Sequence, residues 1–242
     1  MAARISLGGN WLPSTFEAAI LDLDGTLVDT LGDFVVAINL MLQDLGMPVA
    51  DPPMVERLVG KGSEHLIRGV LAQRLTKTGR SKSSELGIDA LYPQAWDAYQ
   101  HHYRQVNGTF SRVFEGVDVG LSRLSDGGLP LACLTNKPVA FAVQLLQTKG
   151  LLAYFSHVFG GDSFDRKKPD PLPVAKTCAA LGSHPTRTLM IGDSGNDAQA
   201  ARAAHCPVIL VTYGYNHGEP VHAVDSDGTT DTLSNLVVSL SA

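Results

Sequence analysis

Two carboxylates two residues apart stand in Asp22-Leu23-Asp24-Gly25-Thr26, directly after an apolar stretch over 16–21. Three more polar groups occur further along: Thr135-Asn136, Lys168-Pro169-Asp170-Pro171 and Gly192-Asp193-Ser194-Gly195-Asn196-Asp197, each placed by the sequence pattern at the end of a candidate strand. Together they are the parts that phosphoryl transfer needs. A carboxylate such as Asp22 can attack phosphorus and form an aspartyl phosphate. It also repels a phosphate dianion, so the chemistry calls for a divalent cation, Mg2+, bound by carboxylate and phosphate oxygens. Asp24 would protonate the leaving oxygen and later take a proton from water, a role for a carboxyl that burial and a neighbouring carboxylate keep protonatable. Thr135 and Asn136 would cradle an anion at a helix start. Lys168 would neutralise charge growing on the phosphoryl oxygens. Asp193 is a candidate metal ligand, and Asp197, one helical turn onward, would orient that site or hold Lys168.

Each group taken singly has a plainer explanation. Asp24-Gly25 is a turn signal, Thr135-Asn136 can cap a helix, and Lys168 can be a surface lysine like its neighbour Lys167. Asp193 and Asp197 can compensate a helix dipole. Their recurrence in this order, each at a strand end, is what favours the chemical reading.

The elements that must position these groups are legible from the apolar runs. Residues 16–21, 129–134, 188–191 and 207–212 are nearly continuous in apolar residues, as buried parallel strands require, with 157–159 a weaker candidate. Helical stretches lie between them: one opened by Asn136-Lys137-Pro138 and stopping near Gly150, one over 171–181 before Gly182, and one over 196–204. The alternation predicts an α/β fold with a Rossmann-like, doubly wound parallel sheet, whose carboxyl ends share one crevice. Residues 30–112 differ. Leu31, Phe34, Val35, Ile38, Leu42 and Leu45 recur at helical spacing up to Gly46, Asp51-Pro52 starts a second helix, and Ser63 can cap a third bearing Leu66, Ile67, Val70, Leu71 and Leu75. A fourth is expected over 92–103, and 77–85 reads as a solvated loop. This is an all-helical cap inserted after the first strand, with 1–29 and 113–242 as the catalytic core.

Bulk properties exclude some functions. The chain has 242 residues, 44% hydrophobic and 18% charged, with formal net charge −5, ordinary for a globular protein. A negative balance argues against non-specific nucleic-acid binding, and no stretch reaches the ~18 apolar residues of a membrane helix. Residues 1–14 read as a loose lead-in without a signal-peptide core. Cys133, Cys178 and Cys206 have no metal or disulfide spacing; a reduced, cytoplasmic setting is the expectation. His101, His102 and His217 read as surface residues.

The motifs Asp22-x-Asp24-Gly25-Thr26, Thr135, Lys168-Pro169 and Gly192-Asp193-Ser194-x-x-Asp197 resemble, in order, those of the haloacid dehalogenase superfamily. The resemblance covers essentially the whole chain. It implies a Rossmann-like core with a helical cap, Asp22 as nucleophile, Asp24 as acid/base, and Mg2+ held by the Asp22 and Asp193 carboxylates and the Asp24 main-chain carbonyl. Asp at position 24 resembles the phosphatases and mutases of the superfamily. Thr135-Asn136-Lys137-Pro138, Lys167-Lys168-Pro169-Asp170-Pro171 and Thr212-Tyr213-Gly214-Tyr215-Asn216-His217-Gly218-Glu219 are similar to the bacterial phosphoglycolate phosphatases, which implies a small phosphorylated carboxylate as substrate. Tyr213 and Asn216 would then rim the site, and Lys61, between Gly60 and Gly62, would reach the carboxylate; the plainer readings are a turn-rich surface loop and a solvated lysine. Two departures stand against the family pattern: Glu115-Gly116-Val117 replaces a usual Pro-Gly-Val, and 77–85 looks like extra cap length. The alternatives are a phosphatase of broader range acting on nucleotides, pyrophosphate or sugar phosphates, a phosphosugar mutase, and a non-catalytic sensor of a phosphorylated ligand. No nucleic acid or membrane partner is expected, and the chain would act as a monomer or homodimer.

Overall fold

The computed structural model describes residues 2–77 and 85–240. It opens with a hairpin, β1 (Ala3–Leu7) and β2 (Asn10–Phe16), where a loose lead-in was expected. The reason is local and tertiary together. Gly8 and Gly9 both take positive φ, 53° and 91°, the backbone that joins tightly paired antiparallel strands. Ala3, Ile5, Leu12 and Phe16 are buried in the main apolar cluster. Phe16 therefore ends β2, and the first core strand β3 is confined to Ala18–Leu21, whose side chains are all buried. A short strand β4 (Val28–Asp29) follows Asp24 and leads out of the core.

The next four helices are α1 (Leu31–Asp44), α2 (Pro52–Glu56), α3 (Ser63–Lys77) and α4 (Glu85–Val106). Of the predicted positions in α1, Phe34, Ile38 and Leu42 are buried, joined by Met41, while Leu31, Val35 and Leu45 are only partly buried; the buried ones pack with Leu66, Ile67, Val70 and Leu71 of α3 and with Tyr99 and Tyr103 of α4. Each fully buried Leu or Ile contributes roughly 1.5–3 kcal/mol. Asp51 caps α2, its Oδ1 accepting from Met54 N at 3.1 Å. Helix α4 starts earlier than the expected 92–103 and runs through Pro93, because Ile88 and Leu91 also pack on this cluster. That burial offsets an interior proline, which costs about 3 kcal/mol. The solvated loop expected over 77–85 falls largely on residues 78–84, outside the described residues.

The chain then returns as β5 (Arg112–Val113), antiparallel to β4 through Val28↔Val113 and Asp29↔Arg112. The two connections to the helical insert thus leave side by side. Beyond them come α5 (Val117–Asp126), β6 (Leu131–Leu134), α6 (Val139–Thr148), β7 (His157–Phe159), α7 (Leu172–Ala180), β8 (Thr188–Gly192), α8 (Gly195–Ala203), β9 (Val208–Val211), β10 (Gly228–Thr230) and β11 (Leu236–Leu240).

The main sheet has the order β10-β9-β8-β3-β6-β7, with every pairing parallel. Leu21 lies opposite Ile191 on one side and Cys133 on the other. That register brings Asp22, Thr135 and Asp193 to the carboxyl edge of three adjacent strands. On a separate small sheet, β11 pairs with β1 and β1 with β2.

Candidate active site

Asp22 directly follows β3 and meets Lys168, whose Nζ lies 2.9 Å from Asp22 Oδ1. The same ammonium donates to Asp197 Oδ1 at 2.7 Å and to the Leu134 carbonyl at 2.7 Å. All three side chains are buried. Burial pushes the Asp22 carboxyl up to about 7, with Asp197 and Asp24 adding to the rise and Lys168 opposing it. Burial pulls Lys168 down, but the Asp197 and Asp22 carboxylates outweigh it and keep the amine charged. Asp197 sits in the first turn of α8, and its Oδ2 accepts from Ser194 Oγ at 2.8 Å and Ser194 N at 3.2 Å. Both its oxygens are thereby engaged, so it holds Lys168 and the loop after β8.

Asp193 stands across from Asp22. Its Oδ2 accepts from Tyr215 N at 2.8 Å, and Thr26 Oγ1 is 3.4 Å from its Oδ1. Burial raises it well above the usual carboxylate range, and the nearby Asp197 and Asp22 raise it further. Backbone passes so close on this side that a Cβ at Gly25 (φ 85°) or at Gly214 would strike the Asp193 carboxylate. Glycine at both positions is therefore a steric requirement.

Oxygens of Asp22, Asp193 and Asp197 lie within 4.8 Å of one another. Three buried carboxylates share one ammonium, and Asp22 Oδ1, although 2.9 Å from Lys168 Nζ, has no aligned hydrogen-bond donor. An all-oxygen, over-charged pocket of this kind suits a hard divalent cation. Because Asp197 is committed to Lys168 and Ser194, Asp22 and Asp193 are the carboxylates left to bind one. The Asp24 carboxylate is elsewhere, so only its main-chain carbonyl remains for the metal role that the resemblance implied.

Asp24 forms a buried ion pair with Lys137, Nζ lying 2.8 Å from Oδ1 and 3.1 Å from Oδ2. The Lys137 ammonium also lies over the rings of Phe34, 4.4 Å away, and Tyr103, 5.0 Å away. Sequence reasoning missed Lys137, although a cation directly after Thr135-Asn136 was a usable signal. Thr135 is buried beside Asp22, its Oγ1 accepting from Lys137 N at 3.2 Å.

Several expected roles change. Asn136 does not cap α6: its Nδ2 donates to the carbonyls of Gly60 (2.9 Å) and Lys168 (2.8 Å), and Asp162 accepts from Val139 N instead. Asn136 thus ties the loop before α3 to the core. Tyr213 does not present its hydroxyl to the cavity; the hydroxyl donates to the Thr26 carbonyl at 2.8 Å. Asn216 braces the loop, accepting from Gly195 N and donating to the Glu219 carbonyl. His217, expected at the surface, is half-buried with Nε2 3.1 Å from Asn196 Nδ2, because the loop folds back against Gly60. Tyr215 was not singled out. Its hydroxyl accepts from Thr30 N (2.7 Å) and Leu31 N (3.0 Å) and donates to Asp29 Oδ1 (2.9 Å), which pins one connection of the helical insert.

A small, partly enclosed cavity of about 20 Å³ lies between these groups and the helical insert, room for on the order of one water. Asp22, Asp24, Thr135 and Lys137 form its floor, and Phe34, Val59, Gly60, Leu66 and Tyr103 its roof. Lys61 faces a separate open cleft with His65, Lys167 and Lys168. Burial, Lys61 and Lys167 together depress His65.

The chain matches the model of the haloacid dehalogenase-like hydrolase family over residues 19–211. It is 40% identical over 226 residues to a phosphoglycolate phosphatase of Thiobacillus denitrificans, covering 93% of this chain and 96% of that one. The phosphoglycolate phosphatase of Vibrio vulnificus is 40% identical over 216 residues, 89% of this chain and 92% of the relative. A crystal structure described as that of a predicted phosphoglycolate phosphatase from Haemophilus somnus superposes with TM-score 0.84 at 30% identity, covering 91% and 96% of the two chains.

Proposed function

The chain belongs to the haloacid dehalogenase-like hydrolase family, and on that premise we propose that it hydrolyses 2-phosphoglycolate to glycolate and phosphate through an aspartyl phosphate on Asp22. The observation that carries the chemistry is the buried set of Asp22, Asp193, Asp197 and Lys168 beside a small cavity that also holds Asp24. The substrate assignment rests on relatives of that name at 40% identity over nearly the whole chain.

Asp22 and Asp193 would hold Mg2+, which when bound shields the nucleophilic carboxylate from the phosphate dianion. An Asp22 carboxylate oxygen attacks phosphorus in line as the bond to the glycolate oxygen breaks. Lys168 and Thr135 face the phosphoryl oxygens and offset the charge that spreads over them. Asp24 gives its proton to the departing glycolate oxygen. It then takes a proton from the water whose oxygen attacks the phospho-aspartate, releasing phosphate and restoring Asp22. A cavity of about 20 Å³ holds no C2 phosphate ester, so we read residues 30–112 as a cap that opens for substrate and closes to exclude water. Residues 1–29 and 113–242 form the catalytic core in this reading.

Phosphate release with Mg2+ across 2-phosphoglycolate, a sugar phosphate, a nucleoside monophosphate and pyrophosphate tests it, with Asp22→Asn as the blank. A kcat/KM for 2-phosphoglycolate at least tenfold above the others, about 1.4 kcal/mol, is the expected outcome. A flat profile leaves a phosphatase of broad range. Turnover by Asp22→Asn within tenfold of wild type overturns the covalent route.

A further inference from the structure

We propose that Lys137 selects the substrate by binding its carboxylate, a role that rests on the phosphoglycolate reading above. Two ammonium groups, those of Lys137 and Lys168, are buried at the site. Lys168 donates to Asp197 and the Leu134 carbonyl and lies 2.9 Å from Asp22 Oδ1, so it belongs to the phosphoryl end. Lys137 has only the Asp24 carboxylate as an oxygen partner among the described residues, its other neighbours being the ring faces of Phe34 and Tyr103. It is also the only cationic side chain among the described residues that line the small cavity.

Position decides what that cation can take. Asp24 is the group that would protonate the ester oxygen, and in 2-phosphoglycolate a single carbon separates that oxygen from the carboxylate. An ammonium in contact with Asp24 is therefore within reach of the substrate carboxylate once Asp24 turns to the ester oxygen. The Asp24 carboxylate, bound through both oxygens in this structure, already shows that Lys137 receives a carboxylate here. Tyr103 supplies a second, independent feature. It lines the same cavity, and its buried hydroxyl has no hydrogen-bond partner among the described residues. A buried hydroxyl without a partner is costly, and a carboxylate on Lys137 would give it an acceptor. The rest of the roof is mainly apolar, from Phe34, Val59 and Leu66, with Ser63 as its other polar side chain, so an ester without a carboxylate would leave Lys137 and Tyr103 unanswered. Lys61, the residue expected from the sequence, lies in the open cleft instead.

The test compares 2-phosphoglycolate with ethyl phosphate, which keeps the ester oxygen and both carbons but lacks the carboxylate. In Lys137→Met the kcat/KM for 2-phosphoglycolate should fall about 100-fold further than that for ethyl phosphate, the scale of losing one charge-assisted hydrogen-bond partner in a buried site. Any shared loss reports the disturbed Asp24. Lys137→Gln carries the same prediction should the Met variant not fold, and Lys61→Met should leave the ratio of the two substrates within about twofold, as a solvated lysine would. Equal losses for both substrates, with the wild-type preference intact, would overturn the role of Lys137 and spare the substrate assignment. Loss of the preference in Lys61→Met but not in the Lys137 variants would move the carboxylate site to the open cleft. A wild type without preference for 2-phosphoglycolate would overturn the substrate reading itself, and the role of Lys137 with it.

Discussion

The floor and the roof of the small cavity are built on opposite principles. Behind the floor residue Asp22, the carboxylates of Asp193 and Asp197 crowd in around one ammonium, that of Lys168, at the ends of adjacent parallel strands. The roof, from α1, the loop before α3, α3 and α4, offers rings and aliphatic side chains. Excess buried charge stores electrostatic free energy that a cation and a phosphoryl group can release. An apolar roof cannot do chemistry, but it excludes water and makes the few polar groups left there selective. Lys137 sits where the two regions meet.

The largest effect is expected at Lys168. Lys168→Met leaves Asp22 and Asp197 buried without a counter-charge, which should cost about 3 kcal/mol of stability, near the lower end for a broken buried pair because Asp22 can take up a proton. Turnover should fall on the order of 10³-fold, as when a donor to the transition-state charge is removed. A variant that melts and turns over like wild type would show that the floor is not electrostatically strained. Denaturant melts and single-substrate kinetics on the same sample decide it.

A smaller effect sharpens the account of the floor. Asp22 is raised to about 7 and Asp193 lies well above its usual range. Between the ordinary carboxylate range near 4 and about 7 the metal-free folded state holds a proton that the unfolded state has lost. Its stability therefore falls as pH rises through that window. Mg2+ needs the ionised carboxylates and competes with that proton. The rise in Tm on adding Mg2+ should thus be larger at pH 8 than at pH 6. An equal or reversed shift would remove Asp22 and Asp193 as the ligands.

The smallest effect belongs to the joint between the regions. Tyr215→Phe removes a hydroxyl that ties Asp29, Thr30 and Leu31 to the loop whose backbone also holds Asp193. The expected cost is about 1–2 kcal/mol. Amide exchange should quicken over 29–31 while kcat changes less than about fivefold, as for hydrogen bonds outside the reacting groups. Exchange unchanged at those amides would mean that the hydroxyl does not hold the connection.

The strands were legible where burial on both faces forced continuous apolar runs, as at β6, β8 and β9. The helices of the insert were legible from their spacing. The first hairpin was not. Ala3, Ile5, Leu12 and Phe16 carry little periodic signal, and their burial depends on β11 and α5, far along the chain. Asp22, Asp24, Thr135, Lys168, Asp193 and Asp197 were legible as candidates because their chemistry and order repeat a pattern. The side chains of Tyr213 and Asn216 turn into the backbone, which residue type alone does not reveal.

The sequence by itself determined which groups reach the carboxyl edge of the sheet, because apolar run length and the residues that follow are local properties of the chain. Only the tertiary structure decided how those groups pair. Lys168 went to Asp22 and Asp197, and Lys137 to Asp24 beneath Phe34 and Tyr103. A buried charge must find an opposite charge or leave the interior, and which partner lies within reach depends on segments far apart in the chain, 113 residues in the case of Lys137 and Asp24.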